Sequence, residues 1–187
     1  MQATTQAVEV MRVMCDEPEG QVERVVSFCP FSFKKLRELY ERLSKFEVLF
    51  NDSIENGFED FVDSFLCEVG GEIKPLGLIW QVDDVGILYL TEIRPGYEAE
   101  AHFSFWDQRI RGREKLVAEM VRYVVTRFGF HRIAVEIPVY AKPALKAVER
   151  IGFKKEGRKR KAVKYKGEWF DVNLYSVVED ELDELQS

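Results

Sequence analysis

Histidine and cysteine are scarce in this chain, whose 187 residues include two histidines and three cysteines. Cys15, Cys29 and Cys67 are odd in number, widely spaced and in no Cys-x-x-Cys pair. The sequence therefore indicates neither a disulfide framework nor a zinc site. With only His102 and His131, a histidine-rich metal site is excluded, and we expect no metal. Scattered free cysteines are typical of a reducing compartment, so the cytoplasm is the predicted location.

Long apolar runs are absent as well. No run approaches the roughly 18 residues that suggest a transmembrane helix, and residues 1–20 lack the basic start and apolar block of a signal peptide. We therefore expect no membrane contact. The net charge of −6 argues against nucleic-acid binding. An apolar content of 46% and a charged content of 32% are ordinary for a soluble globular protein of one domain.

Charge is distributed unevenly along the chain. Residues 179–184 contain five acids, and residues 154–166 contain eight basic side chains. We predict that residues 179–187 form a solvated acidic tail. The basic stretch is interpreted as a solvated strand face, although it could also reach a phosphate group, an acidic substrate or RNA.

The central stretch, residues 98–128, predicts a strand, a basic turn and a long helix. Apolar and polar residues alternate over 98–106, which is typical of a strand with one buried face. Apolar residues then recur at helical spacing from Leu116 to Phe128, and Gly129 stands where a left-handed C-cap belongs. The turn between them contains Gly112 and several arginines. Free N–H groups and the helix dipole make such a turn a candidate anion site.

Other elements are predicted on both sides of this stretch. Ser32 is expected to cap a first helix. The predicted helices cover residues 33–46, 53–69 and 143–150, and the predicted strands cover 21–29, 76–82, 85–93, 132–139, 153–166 and 169–178. Because a helix joins strand 98–106 to strand 132–139, these two strands should be parallel. Pro138 lacks an N–H donor, so we expect the pair to separate there.

These elements predict the α+β class: a mixed, mostly antiparallel sheet of six to seven strands, flanked by helices, with one splayed parallel strand pair. Unpaired backbone groups between the two splayed strands would be available to a ligand. We divide the chain into an N-terminal extension (1–20), one folded domain (21–178) and the acidic tail (179–187).

The segment 149–158, ERIGFKKEGR, is followed by Asp171-Val172 and then by Leu174-Tyr175-Ser176. With the order of elements, these motifs resemble the GCN5-related N-acetyltransferase (GNAT) superfamily, and in particular the branch that acetylates ribosomal-protein N-termini. The resemblance implies an acyltransferase that moves an acetyl group from acetyl-CoA to a primary amine by direct attack. The amine could belong to a small molecule or a protein, and the resemblance allows a homodimer. The alternative is a GNAT-fold protein without transfer activity, serving as a binding or assembly module.

The resemblance also implies a cofactor-binding segment. The family's pyrophosphate loop, Arg/Gln-x-x-Gly-x-Gly/Ala, matches residues 109–114 at Arg109 and Gly112, but Glu114 departs from it. That carboxylate could turn outward as an acid in the first helical turn, or it could repel the pyrophosphate. The implied cofactor-binding residues are Ser104, Phe105, Arg109, Ile110, Arg111, Gly112, Arg113 and Glu114.

Three residues are candidates for catalysis. Glu100 and His102 lie on the polar face of strand 98–106, where either could take a proton from the amine. The alternative is that Glu100 faces solvent and His102 is a structural histidine. The family's frequent tyrosine, a general acid toward the leaving thiolate, would fall at Val148, so Tyr140 is the candidate substitute.

Two further family positions also lack their usual side chains. Where relatives often carry Asn and, three residues on, Ser, this chain has Ala141 and Ala144.

Overall fold

The computed structural model describes residues 10–17, 20–46, 57–107 and 110–186. One large sheet with helices on both faces forms its centre. The strands are β1 (Val10–Glu17), β2 (Gly20–Phe28), β3 (Leu66–Val69), β4 (Glu72–Pro75), β5 (Leu78–Val82), β6 (Gly86–Arg94), β7 (Glu98–Phe105), β8 (Arg132–Pro138), β9 (Lys154–Tyr165) and β10 (Glu168–Val178). The helices are α1 (Phe33–Leu43), α2 (Phe58–Asp63), α3 (Arg113–Phe128) and α4 (Lys142–Ile151), and a 3-10 turn covers Glu179–Glu184.

The strand order in the main sheet is β1-β2-β5-β6-β7-β8-β10-β9. Every neighbouring pair is antiparallel except β7 and β8, which are parallel. The predicted α+β class and mostly antiparallel sheet are therefore confirmed. The described sheet has eight strands rather than six or seven, because β1 pairs with β2 along its whole length. Val13 and Cys15 of β1 are buried in the core, so part of the predicted N-terminal extension belongs to the sheet.

Alternate residues of the central strands supply two separate cores. Trp80 and Leu88 face the helix α3, whose apolar stripe includes Leu116 and Val121. Their neighbours in sequence face the opposite side, where α1, α2 and a group of aromatic rings cover them. This period-two alternation explains why both faces of the sheet are covered.

The predicted caps of two helices are present. The Ser32 hydroxyl accepts a hydrogen bond of 3.2 Å from the Lys35 N–H at the start of α1. Gly129 ends α3 in the left-handed conformation with φ 68°, and its N–H donates to the Val125 carbonyl. The strand and helix order from residue 78 to residue 178 agrees with the prediction.

The helix predicted over residues 53–69 is wrong in its second half. Residues 53–56 lie outside the described part of the chain, and α2 ends at Asp63. Residues 66–75 instead form the hairpin β3–β4 around Gly70 and Gly71, which have φ of 64° and 81°. Two consecutive glycines with positive φ are typical of a two-residue hairpin turn. The same backbone conformation inside a helix would destabilise that helix.

The segment predicted to form a solvated acidic tail is ordered over its described residues, although four of its five acidic side chains are exposed. The 3-10 turn over 179–184 packs on the core, and Leu185 is 3% exposed. Arg122 of α3 donates hydrogen bonds to the carbonyls of Leu182 and Leu185, at 3.2 and 2.8 Å. Lys154 pairs with the acidic side chains of Glu181 and Glu184, so these two of the five acids bind within the molecule.

Candidate functional site

The parallel strands β7 and β8 separate soon after they start. Their ladder joins only Glu98 to Arg132, Ala99 to Ile133 and Glu100 to Ala134. Beyond these pairs, β7 continues beside β6 and β8 continues beside β10. The backbone edges that face each other across the gap consequently share no ladder, and a narrow slot opens between them. The predicted splayed strand pair is present. On β8 the ladder ends at Ala134, four residues before Pro138.

A cleft of about 440 Å³ lies at the point where the strands separate. Its lining is rich in carboxylates and includes residues from β6, β7, β8, β9 and β10: Glu92, Arg94, Glu98, Ala99, Glu100, Arg132, Ala134, Val135, Glu136, Glu156, Leu174 and Tyr175. Arg132 bridges two of these acids, Glu98 at 2.6 Å and Glu156. Lys159 pairs with Glu136. Ion pairs thus hold much of the lining in place.

Glu100 lies at the last ladder pair, where the slot begins. Its side chain is 21% exposed. Burial raises the pKa of Glu100 to about 7, with a further increase from Glu136 and Glu92 and a partial decrease from Lys159. A carboxyl group with that pKa takes up or releases a proton near neutral pH, which is the behaviour required of a general base.

His102 lies two residues further along the same face of β7. Its Nε2 atom is 2.8 Å from the Thr91 hydroxyl of β6 and 3.6 Å from Glu100 Oε1. The imidazole stacks on the Tyr89 ring, with centroids 4.4 Å apart and planes 9° apart. Burial lowers the pKa of His102 to about 4. The imidazole is therefore uncharged at neutral pH, and the structure brings the two predicted bases, Glu100 and His102, together.

Tyr140, the third predicted catalytic residue, lies between β8 and α4 and outside the lining of the cleft. Its ring stacks on Tyr165 at 4.4 Å and meets Phe170 edge-on at 5.2 Å. Val148, at the family's usual tyrosine position, is 4% exposed and packs in the core. Ala141 precedes α4 and offers no side-chain cap.

The predicted anion turn leads into α3. Arg109 lies outside the described residues. Ile110 is 2% exposed and anchors the turn, while Arg111 is exposed. Arg113 is the first residue of the helix. Ser104 and Phe105 lie at the end of β7, within its splayed part.

Gly112 stands at the N-cap of α3 with φ 66° and, having no side chain, makes no side-chain cap bond of its own. A Cβ atom at this position would lie 3.1 Å from Cys15 Cβ and 3.4 Å from the Asp16 amide nitrogen. Glycine is therefore required both by its backbone conformation and by the closeness of β1. The first turn of α3 has backbone N–H groups directed out of the helix end.

Glu114 turns toward α4. Its Oε1 atom lies 2.5 Å from Arg150 Nη2, in the last turn of that helix. The structure thus shows this carboxylate paired with a basic residue of α4. The role of Arg150 was missed at the level of sequence, since nothing in the spacing of residues 114 and 150 indicates that they meet.

Thr91 was missed as well. It lies directly opposite Glu100 in the β6–β7 ladder, and strand register is what brings its hydroxyl to His102. A β-branched hydroxyl residue on the strand before 98–106 was the only signal available.

Among the described residues, no group of three or more His, Cys, Asp or Glu side chains is placed to hold a metal ion. Within the same ranges, no helix is long and apolar enough to span a membrane.

Comparison with solved structures shows what the fold is similar to. A GNAT-family acetyltransferase from Bacillus anthracis matches with a TM-score of 0.62 and 17% identity, covering 93% of this chain and 99% of that one. RimJ from Mycobacterium smegmatis, in complex with CoA-disulfide, matches with a TM-score of 0.63 and 13% identity, covering 95% of this chain and 90% of that one. Mutant forms of the spermidine/spermine N-acetyltransferase SpeG from Vibrio cholerae match with a TM-score of 0.63 and 16% identity, covering 85% of this chain and 96% of that one.

A search of the curated proteins finds no match. A family model described as an acetyltransferase (GNAT) domain matches residues 34–174, which include α1 except its first residue, the splayed strands, the anion turn and most of β10. From that match, together with the fold, the chain belongs to the GNAT acetyltransferase family.

Proposed function

We propose that this protein is an acetyl-CoA-dependent N-acetyltransferase that acts on a primary amine by direct attack. The observation that carries the proposal is Glu100: a partly buried carboxyl group with a pKa raised to about 7, at the point where the parallel strands separate. An amine must lose a proton in order to attack a thioester carbonyl, and a base at this place could accept that proton.

Acetyl-CoA fits the slot and the turn that precedes α3. The slot between β7 and β8 exposes strand edges to an extended, amide-containing chain, and α3 begins beside Arg111 and Arg113 with N–H groups directed out of the helix end. In this proposal the turn from Arg109 to Glu114 holds the pyrophosphate, while Ser104 and Phe105 bind the pantetheine through their backbone. When bound, acetyl-CoA supplies the activated acetyl group.

The proton chemistry divides between Glu100 and His102. Glu100 is the proposed base, since its ionised form is well populated just above neutral pH. His102 remains uncharged and is held by Thr91 and Tyr89, so we assign it to orienting the acceptor or an intervening water beside Glu100. Tyr140 is retained as the proposed acid toward the leaving thiolate, because it follows the splayed strand β8.

The acidic cleft favours a cationic acceptor. An amine approaches as an ammonium ion, and the cleft would attract it because five glutamates and only two arginines line it. The acceptor could be a small molecule or a protein N-terminus of the ribosomal type, and the proposed location is the cytoplasm. A homodimer is compatible with this proposal.

A GNAT-fold protein without transfer activity is the second candidate. It is favoured by one observation: Val148 is buried in the core, and neither Ala141 nor Ala144 provides a hydroxyl or amide near the start of α4. The two candidates differ in whether acetyl groups are transferred.

The test combines binding with turnover. Acetyl-CoA at a hundred times its Kd should stabilise the protein by about 2.7 kcal/mol, which is roughly 5–10 °C in Tm for a chain of this size. Release of CoA thiol is then followed with a panel of polyamines, aminoglycosides and peptides. Glu100→Gln should reduce kcat by a factor of roughly 10²–10⁴ without abolishing the thermal shift.

The matched control is Glu68→Gln, which removes an exposed carboxylate outside the cleft and should retain activity. A thermal shift without turnover on any amine would favour the binding module. If acetyl-CoA causes no thermal shift, the proposed enzyme is refuted.

A further inference from the structure

The contact between Glu114 and Arg150 lies beside the N-terminus of α3. In the proposed function, which this inference depends on, a pyrophosphate lies at the first turn of α3. Glu114 is the second residue of that helix, and its side chain is 23% exposed. An ionised carboxylate there stabilises the helix dipole by itself. The same carboxylate would compete with a bound phosphate for the N-terminal N–H groups and would repel it.

Arg150 removes this conflict. Its guanidinium Nη2 atom lies 2.5 Å from Glu114 Oε1, within charge-assisted hydrogen-bond distance. The contact draws the carboxylate toward α4 and pairs it with an opposite charge. An ion pair of this kind has a much weaker field at a distance than an isolated carboxylate. The positive charges of Arg111 and Arg113 near Gly112 are then left to act on a bound anion.

We propose that Arg150 is a positioning residue for the CoA site, which holds Glu114 away from the pyrophosphate and neutralises its charge. The residue comes from a different helix, 36 positions further along the chain. The ion pair explains how this chain can bind CoA although it has a carboxylate where the family has a small residue.

The neighbouring charged groups define what the experiment must separate. Lys115 follows Glu114 on α3, and Glu149 precedes Arg150 on α4, where it accepts a hydrogen bond from Tyr175. A purely structural ion pair would tie α3 to α4 and would be broken equally by loss of either partner. Charge masking predicts instead that the two single substitutions act in opposite directions.

The experiment is a double-mutant cycle on the full chain, with CoA binding measured by calorimetry at about 50 mM salt. Arg150→Ala should raise the Kd for CoA by about twofold to fivefold, because it leaves Glu114 unpaired. Glu114→Gln should leave the Kd unchanged or lower it. The double variant should lie within about twofold of Glu114→Gln, and Arg150→Lys should restore most of the affinity.

Two comparisons make the result specific. Pantetheine, which lacks the phosphates, should bind wild type and Arg150→Ala with equal affinity, and the effect of Arg150→Ala on CoA should shrink at 0.5 M salt. The unfolding temperature of each variant, measured without ligand, reports the purely structural contribution.

The inference is overturned if wild type binds CoA and both single variants weaken binding equally, or if Arg150→Ala does not change the Kd. If wild type itself fails to bind CoA, the proposed function is overturned, and the role of Arg150 with it.

Discussion

Glu100→Gln should stabilise the folded protein at alkaline pH even as it removes the proposed base. Burial raises the pKa of Glu100 from 4.5 to about 7 in the folded state, so the native protein holds this proton more tightly than the unfolded chain does. In wild type, the contribution of Glu100 to the free energy of unfolding is therefore fully favourable below about pH 4.5. It is lost as the pH rises through about 7. Glutamine does not titrate and avoids this loss.

The magnitude follows from the shift. Each unit of pKa corresponds to about 1.4 kcal/mol, so the full shift would give roughly 3 kcal/mol. Because the side chain is 21% exposed, solvent screening reduces this to about 2 kcal/mol. The variant should match wild type near pH 4.5 and exceed it by about 2 kcal/mol at pH 8, which is roughly 4–8 °C in Tm.

Urea unfolding of both proteins at intervals from pH 4.5 to 8.5 measures this difference. His102 titrates in both proteins, with a pKa lowered to about 4, so its contribution largely cancels. Glu68→Gln reports the effect of removing one exposed carboxylate elsewhere. A stability difference that stays constant across the pH range, or a variant less stable than wild type at pH 8, would refute the assignment of a raised pKa to Glu100.

Three further substitutions test the framework around the site. Gly112→Ala should destabilise the protein by about 1–2 kcal/mol by urea unfolding and should weaken CoA binding, since its Cβ would press on Cys15 at a positive φ; equal stability would show that the turn relaxes freely. Thr91→Val removes the hydroxyl 2.8 Å from His102 and should cost about 1 kcal/mol, with a changed pH profile of kcat as the sign of a role beyond packing. Leu185→Ala should cost about 2–4 kcal/mol in chemical denaturation, because Leu185 is 3% exposed; a loss below 0.5 kcal/mol would show that its packing contributes little.

Much of the fold was predictable because local patterns agreed with tertiary packing. The alternation over residues 98–106 and the helical spacing up to Phe128 each identify one face that must be buried. Gly129 and Ser32 marked helix ends correctly for the same reason: backbone groups at those ends require particular side chains or conformations. The parallel pair followed from the helical connection between its strands.

The errors came where two patterns competed. Phe58, Phe61, Phe65 and Leu66 are spaced as on one helix, yet the helix ends at Asp63 and the last of them starts a strand. The Gly-Gly pair at 70–71, flanked by two short segments, is the signal for a hairpin in this stretch. Tertiary packing decided between the two.

The candidate site was only partly accessible from sequence. Glu100 and His102 were identifiable because they share the polar face of one strand. Thr91 and Arg150 were not, since the first depends on the register between β6 and β7 and the second on how α4 lies against α3. Pairings between distant segments are fixed by packing geometry, which residue spacing does not record.

The position of β10 has a consequence for how the protein forms during synthesis. Although β10 follows β9 in the chain, it lies between β8 and β9 in the sheet. Until residues 168–178 leave the ribosome, β8 has an open edge and the lysine-rich β9 has no partner in the sheet. Translation that stalls just before β10 should therefore produce a nascent chain with unpaired strands, dependent on chaperones rather than partly folded.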